Sequence, residues 1–226
     1  MIPLKDDSRS ASRPVVTIGL IALCCAVFLW QSSLSELMAG RAIDALGAIP
    51  AVVMGNARLP PDLLWVPRYA PIFTSLFLHA SWMHLLGNML FLWIFGHGVE
   101  DYMGPARFLV FYLICGVAAF LTPALATPHS AYPIIGASGA ISGVLGAYFL
   151  TFPRARILTL VVLPFFFTTV NLPAMLLLLV WFIVQLVSHF TDHGGGVAFL
   201  AHIGGFIAGI ALAPTFRRRD GRPVQV

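Results

Sequence analysis

Long apolar runs punctuated by short polar clusters dominate the chain. From Phe108 to Pro153 there is no Asp, Glu, Lys or Arg. A hydrocarbon core about 30 Å thick needs about 20 apolar residues per helix, within a range of about 17–25. On that scale the pattern predicts spanning helices over residues 14–32, 82–99, 106–125, 137–152, 173–190 and 197–215, the fourth of them short. Residues 33–78 are too long for a turn and mix apolar fragments with Glu36, Arg41, Asp44, Arg58, Asp62 and Arg68, which suggests a structured, partly embedded loop. Residues 157–170, ILTLVVLPFFFTTV, are too short to span and are interrupted by Pro164, so they read as interfacial.

Composition strengthens the membrane reading. The chain of 226 residues is 59% hydrophobic and 10% charged, with a mean hydropathy of +0.90, whereas soluble domains carry about 25% charged residues. A bilayer removes the need to hide so much apolar surface. The net charge of +4 does not indicate nucleic acid, because the cations lie in short clusters between apolar runs and act as topology determinants. Cys24, Cys25 and Cys115 fall inside apolar segments and read as packing residues without metal-ligand spacing. The first apolar run ends in Phe28-Leu29-Trp30-Gln31 with no small-x-small cleavage site, so it is a helix rather than a leader.

Lys5, Arg9 and Arg13 precede the first predicted helix, Arg107 lies between the second and third, Arg154 and Arg156 follow the fourth, and Arg217-Arg218-Arg219 follows the sixth. Six spans put all four groups on one face, which the positive-inside rule makes cytoplasmic. No repeat of 20–50 residues and no inverted repeat is evident. One six-helix all-α bundle over residues 14–215 is expected, with a cytoplasmic tail at 1–13 and a basic cytoplasmic tail at 216–226.

Within this topology several polar groups reach one depth. Ser138 opens the fourth helix from the outer side, inside the stretch Gly136-Ala137-Ser138-Gly139. His202 lies about five residues into the sixth, roughly 7–8 Å below its outer end. His84 and Asn88 share a face of the second helix at i, i+4. Polar groups inside a bilayer are costly and point to function. A serine becomes a nucleophile when a neutral histidine lies within hydrogen-bond reach, and with no Asp, Glu or Lys in the fourth to sixth helices a Ser138–His202 dyad remains. His84, Asn88 and the backbone N–H of Ser138 are candidate oxyanion donors. Gly139-x-x-x-Gly143 and Gly205-x-x-x-Gly209 are small-residue faces that let two helices approach closely.

At these residues the chain resembles the rhomboid family of intramembrane serine proteases. The matching pieces are Gly136-Ala137-Ser138-Gly139, His84-x-x-x-Asn88 and AHIGGFIAG at Ala201–Gly209, in the family's order. The resemblance implies Ser138 as nucleophile, His202 as general base and acid, His84 and Asn88 in the oxyanion hole, and Gly136, Gly139 and His79 lining the site. It implies that His79 helps organise the loop and bound water, that 33–78 is the membrane-embedded first loop, that Gly194-Gly195-Gly196 belongs to a cap, and that the fifth helix is a substrate gate. Glu100-Asp101 resembles a structural carboxylate of the family. Two features depart from the family pattern: Ser142 stands where some members carry a tyrosine stacked on the histidine, and Trp65 and Arg68 are not adjacent.

The expected activity is therefore peptide-bond hydrolysis in transmembrane protein substrates near the outer face of the bilayer, without cofactor, metal or nucleic acid. The expected address is a bacterial cytoplasmic membrane. The alternatives are a small transporter or channel using the same polar residues, an inactive rhomboid-like binder of membrane helices, and a metalloprotease, which lacks its His-Glu-x-x-His signature here.

Overall fold

Local signals set where the helices start and stop. In the computed structural model, which describes residues 2–7, 13–162, 167–191 and 197–218, the elements run β1 (Ile2–Asp6), α1 (Val15–Ser33), α2 (Glu36–Leu46), α3 (Pro50–Met54), α4 (Pro71–Thr74), α5 (Trp82–Met103), α6 (Pro105–Ala126), α7 (Ser138–Thr151), β2 (Arg156–Val162), β3 (Phe167–Pro173), α8 (Ala174–Thr191) and α9 (Val197–Phe216). Ser81 caps α5 by accepting from the backbone N–H of His84, satisfying one of the donors a helix start leaves unpaired. Gly104, at φ +80°, turns the chain between α5 and α6, and Pro105 opens α6 at the position where its missing N–H is harmless.

Among the described residues four helices are long and apolar enough to cross a bilayer: Val15–Ser33, Pro105–Ala126, Ala174–Thr191 and Phe199–Phe216. Pro71–Phe77 with Trp82–Met103 makes a fifth candidate, bent by 95°. With 14 residues α7 is too short for that test. Every residue from Gly139 to Tyr148 is buried, so α7 is apolar on all sides because it is enclosed on all sides. It packs against α5, α6, α8 and α9. The membrane-spanning class of the chain thus rests on its long apolar helices, while α7 is their shared core.

The loop over 33–78 is structured throughout, with short helices that fold back onto α6. Ala48 pairs with Ile134 in an isolated bridge, and Val53, Phe120 and Ala124 form a small second core with Ala48. Both Nε and Nη2 of Arg68 donate to the Val53 carbonyl, at 3.2 and 2.7 Å. Arg68 is thus a loop clamp, while Trp65 donates to the carbonyl of Asp62.

The all-α expectation needs one correction, a small sheet. Residues 157–170, read as interfacial, contribute two strands, and the tail at 1–13 contributes a third. The antiparallel sheet has the order β1-β2-β3, with Ile2 opposite Leu160 and Ile157 opposite Leu172. The β-branched residues Ile157, Thr159, Val161, Thr168, Thr169 and Val170 favour strands over helix. Tyr148 at the end of α7 donates to Asp6 at 3.0 Å, and the Arg156 backbone N–H donates to Asp7 at 2.7 Å.

This end of the molecule also holds a buried carboxylate. Glu100, 1% exposed, accepts from the backbone N–H of Val16 and of Thr17 and from the Thr17 hydroxyl, at 2.9, 2.8 and 2.7 Å. Its oxygens cap the start of α1, where the helix leaves N–H groups unpaired. Arg107 donates to the carbonyl of Arg217, and the Arg218 N–H to that of Tyr102. The starts of α1 and α6 and the ends of α5 and α9 are thus gathered on one face.

Candidate active site

Close backbone approach between α7 and α9 brings the key side chains together. A Cβ placed on Gly205 or Gly209 would collide with backbone atoms of Gly139 or Gly143, and one on Gly143 with Cys115. Gly146, not singled out from the sequence, does the same against the backbone of Phe206, and Gly204 packs on Thr122. Only hydrogen fits at this seam, and a serine side chain on one helix therefore reaches an imidazole on the other.

Ser138 Oγ lies 2.8 Å from His202 Nε2. On the far side of the ring, His202 Nδ1 lies 2.7 Å from Gln185 Oε1 of α8. The Trp181 ring, one turn earlier on α8, is 6.0 Å from the imidazole, centroid to centroid. Ser142, one turn after Ser138, donates its hydroxyl back to the Ser138 carbonyl at 2.7 Å. Gln185 escaped the sequence reading because the search for a third group was confined to carboxylates and lysine. The available signal was a lone amide inside the apolar run of α8, 8% exposed.

His84 and Asn88 occupy the first turns of α5, facing the same space. The Ala80 N–H approaches His84 Nδ1 at 3.4 Å, which leaves Nε2 to carry the ring proton. That nitrogen would be 2.7 Å from a Cβ on Gly136, and Asn88 Nδ2 3.7 Å from it. Gly136 holds φ +113°, a conformation that L side chains rarely adopt. Its N–H donates to the Ser75 carbonyl at 2.8 Å. Asn88 Nδ2 is buried and has no hydrogen-bond partner among the described residues, as suits a donor facing something that enters the cavity.

That cavity has a volume of about 230 Å³ and is walled by His84, Asn88, Ser138, Ser142, Trp181 and His202, with Met83, Gly87 and Phe91 on the α5 side. A second one, about 40 Å³, lies behind Ser138 and is bounded by Ser75, Gly136, Gly139 and Ala201. His79 is in the wall of neither. It stands behind His84, the ring centroids 5.1 Å apart, and its backbone N–H donates to Gln31 on α1 at 3.1 Å, so it supports His84 from behind and lines neither cavity. Gly143, Gly205 and Gly209 act in the helix seam. The Gly194-Gly195-Gly196 cap expected from the sequence lies outside the described residues. Among the described residues no three His, Cys, Asp or Glu side chains are grouped as metal ligands.

The arrangement is chemically specific: a hydroxyl hydrogen-bonded to an imidazole, and two side-chain N–H donors facing a cavity beside it. Comparison with known proteins points the same way. Residues 67–219 match the family model described as the Rhomboid domain. The chain is 31% identical over 195 residues to the mouse Presenilin-associated rhomboid-like protein, mitochondrial, covering 80% of this chain and 49% of that one. It is 34% identical over 134 residues to Rhomboid protein 1, mitochondrial, of Saccharomyces cerevisiae, covering 53% and 39%. It is 42% identical over 76 residues to Rhomboid protease GluP of Bacillus subtilis, covering 34% and 14%. The chain spans less than half the length of each of these curated relatives.

Proposed function

Because the chain belongs to the rhomboid family, we propose that it is an intramembrane serine endopeptidase acting through a Ser138–His202 dyad. The observation that carries the reading is the 2.8 Å contact between Ser138 Oγ and His202 Nε2 at the wall of a cavity that also holds His84 and Asn88. His202 takes the hydroxyl proton as Ser138 Oγ bonds to the scissile carbonyl carbon. The carbonyl oxygen becomes an oxyanion and is met by His84 Nε2–H, Asn88 Nδ2–H and the Ser138 backbone N–H at the start of α7. As the tetrahedral intermediate collapses, the C–N bond breaks and His202 passes its proton to the leaving amine. Water then attacks the acyl-serine, His202 acting again as base and then returning the proton to Ser138. The shortness of α7, about 21 Å at 1.5 Å per residue, leaves room for that water above Ser138.

The substrates are transmembrane segments. The small residues that surround Ser138 suit a small side chain next to the scissile bond. We read α1, α5, α6, α7, α8 and α9 as six spans of one domain over 14–215, with both termini and the basic tail cytoplasmic and the site toward the outer face. The gathering of Arg107, Arg217 and the α1 start on one face supports that orientation. The named relatives are mitochondrial as well as bacterial, so the similarity does not favour the bacterial cytoplasmic membrane over an organellar one. An integral membrane location is common to both.

The test is cleavage of a model single-span substrate by the purified protein in lipid vesicles, with Ser138→Ala and His202→Ala beside wild type. Wild type is expected to cut near the outer boundary and neither variant to cut. Near-wild-type cleavage by either variant refutes the dyad.

A further inference from the structure

An amide inside an apolar helix is costly unless its polar atoms find partners. Gln185 is the one amide of α8 and is buried on the same face as Leu178 and Ala174. Its Oε1 lies 2.7 Å from His202 Nδ1, while His202 Nε2 faces Ser138 at 2.8 Å. A neutral imidazole carries one N–H. For Nε2 to accept the serine proton, Nδ1 must hold the ring proton and must have an acceptor. Oε1 of Gln185 is the acceptor in place: among the described residues it is the oxygen within hydrogen-bond reach of Nδ1, while the Trp181 indole has only a donor to offer.

We propose that Gln185 is a positioning residue for His202, fixing the tautomer and the ring plane in which Nε2 faces Ser138, and so acts as the third member of a Ser–His–Gln relay whose last member stands on a different helix from the other two. It differs from a carboxylate in one respect. A neutral amide orients the ring but offers less stabilisation to the imidazolium that forms during attack, so its removal costs less than removal of an aspartate, which lowers kcat by about 10⁴ in the well-studied serine proteases. A loss of about 10- to 100-fold is expected.

This inference rests on the protease reading, and its test separates the two. The full-length protein in vesicles is assayed for kcat and KM on a single-span substrate and for the rate of fluorophosphonate labelling at Ser138. The variants are Gln185→Met, which keeps the volume and removes the acceptor, and Gln185→Glu, which keeps an acceptor, with Ser138→Ala as the blank. Gln185→Met is expected to lower kcat and the labelling rate together by about 10- to 100-fold, with KM within about twofold and the thermal midpoint close to wild type, while Gln185→Glu recovers most of the rate. Wild-type kcat and labelling in Gln185→Met overturn the inference and leave the protease reading standing. Equal loss in Met and Glu variants also overturns it, because it assigns Gln185 a packing role. If wild type neither cuts nor labels, the protease reading falls and the inference with it.

Discussion

Gly209→Ala adds a single methyl group far from Ser138 and should nonetheless cut sharply into the proposed cleavage activity. The new Cβ would lie 2.7 Å from both the α-carbon and the carbonyl carbon of Gly143, and nearer still to its oxygen. These are backbone atoms in the enclosed stretch of α7, so no side-chain rotation relieves the clash. Ordinary contact begins at 3.4 Å, so clearing the two carbons alone parts the helices by 3.4 − 2.7, or about 0.7 Å, and clearing the nearer oxygen takes more. His202 lies two turns earlier on the same helix, and a shift of that size carried along α9 stretches its 2.8 Å contact with Ser138 to about 3.5 Å, where a hydrogen bond has largely failed. Overpacking of this kind costs about 1–3 kcal/mol of stability, whereas misplacing a catalytic group by about 1 Å can cost about 100-fold in rate. The expected result is a folded protein with a moderately lowered thermal midpoint in detergent and kcat reduced about 10- to 100-fold in the vesicle assay. Gly19→Ala is the control: nothing lies within 4 Å of its added Cβ, and alanine is favoured over glycine inside a helix by about 0.5–1 kcal/mol. It should keep full activity at an equal or higher midpoint. Wild-type kcat in Gly209→Ala would refute the claim that the glycine seam sets the distance between serine and histidine.

Asn88→Ala should lower kcat by about 10²- to 10³-fold, the usual loss for one oxyanion donor at about 2.7–4 kcal/mol, with little change in KM; a loss confined to KM would contradict the role. Glu100→Gln should destabilise the protein by about 1.5–3 kcal/mol, since the amide nitrogen turns a donor toward groups that now donate to a carboxylate; an unchanged unfolding midpoint in detergent would show that the α1 cap is dispensable. Gly136→Ala should fold but lose most of its cleavage activity, because φ +113° becomes strained and the added methyl displaces His84 Nε2; activity within twofold of wild type would mean that His84 is not needed where it stands.

The long helices were legible because a bilayer allows few ways to satisfy a backbone, and runs such as 14–32, 106–125 and 197–215 lie within a residue or so of α1, α6 and α9. The short α7 was legible for a different reason, its small residues marking a helix that must be approached closely. Ser138 and His202 could be paired because both lie near the starts of their helices and no Asp, Glu or Lys in the last three predicted helices competes for the role. The strands were not, because Ile2–Asp6 is too short to show a period. In 157–170 the overall apolarity masked the β-branched alternation. Gln185 was missed because nothing local distinguishes an amide that orients a base from one that joins two helices. Its role depends on which face of α8 turns toward His202, and that is set by packing.

The sheet has a consequence for how the protein is made. Ile2 must wait for Leu160, and the chain between them contains α1, α5, α6 and α7. During synthesis the first strand emerges long before its partner exists, so it stays unpaired until those helices have been laid into the membrane. Pairing over such a sequence separation is slow to form. The bond from Tyr148 at the end of α7 to Asp6 can close only when the core helix is in place. The N-terminal strand therefore acts as a late fastener: its docking reports that the helix carrying Ser138 has arrived.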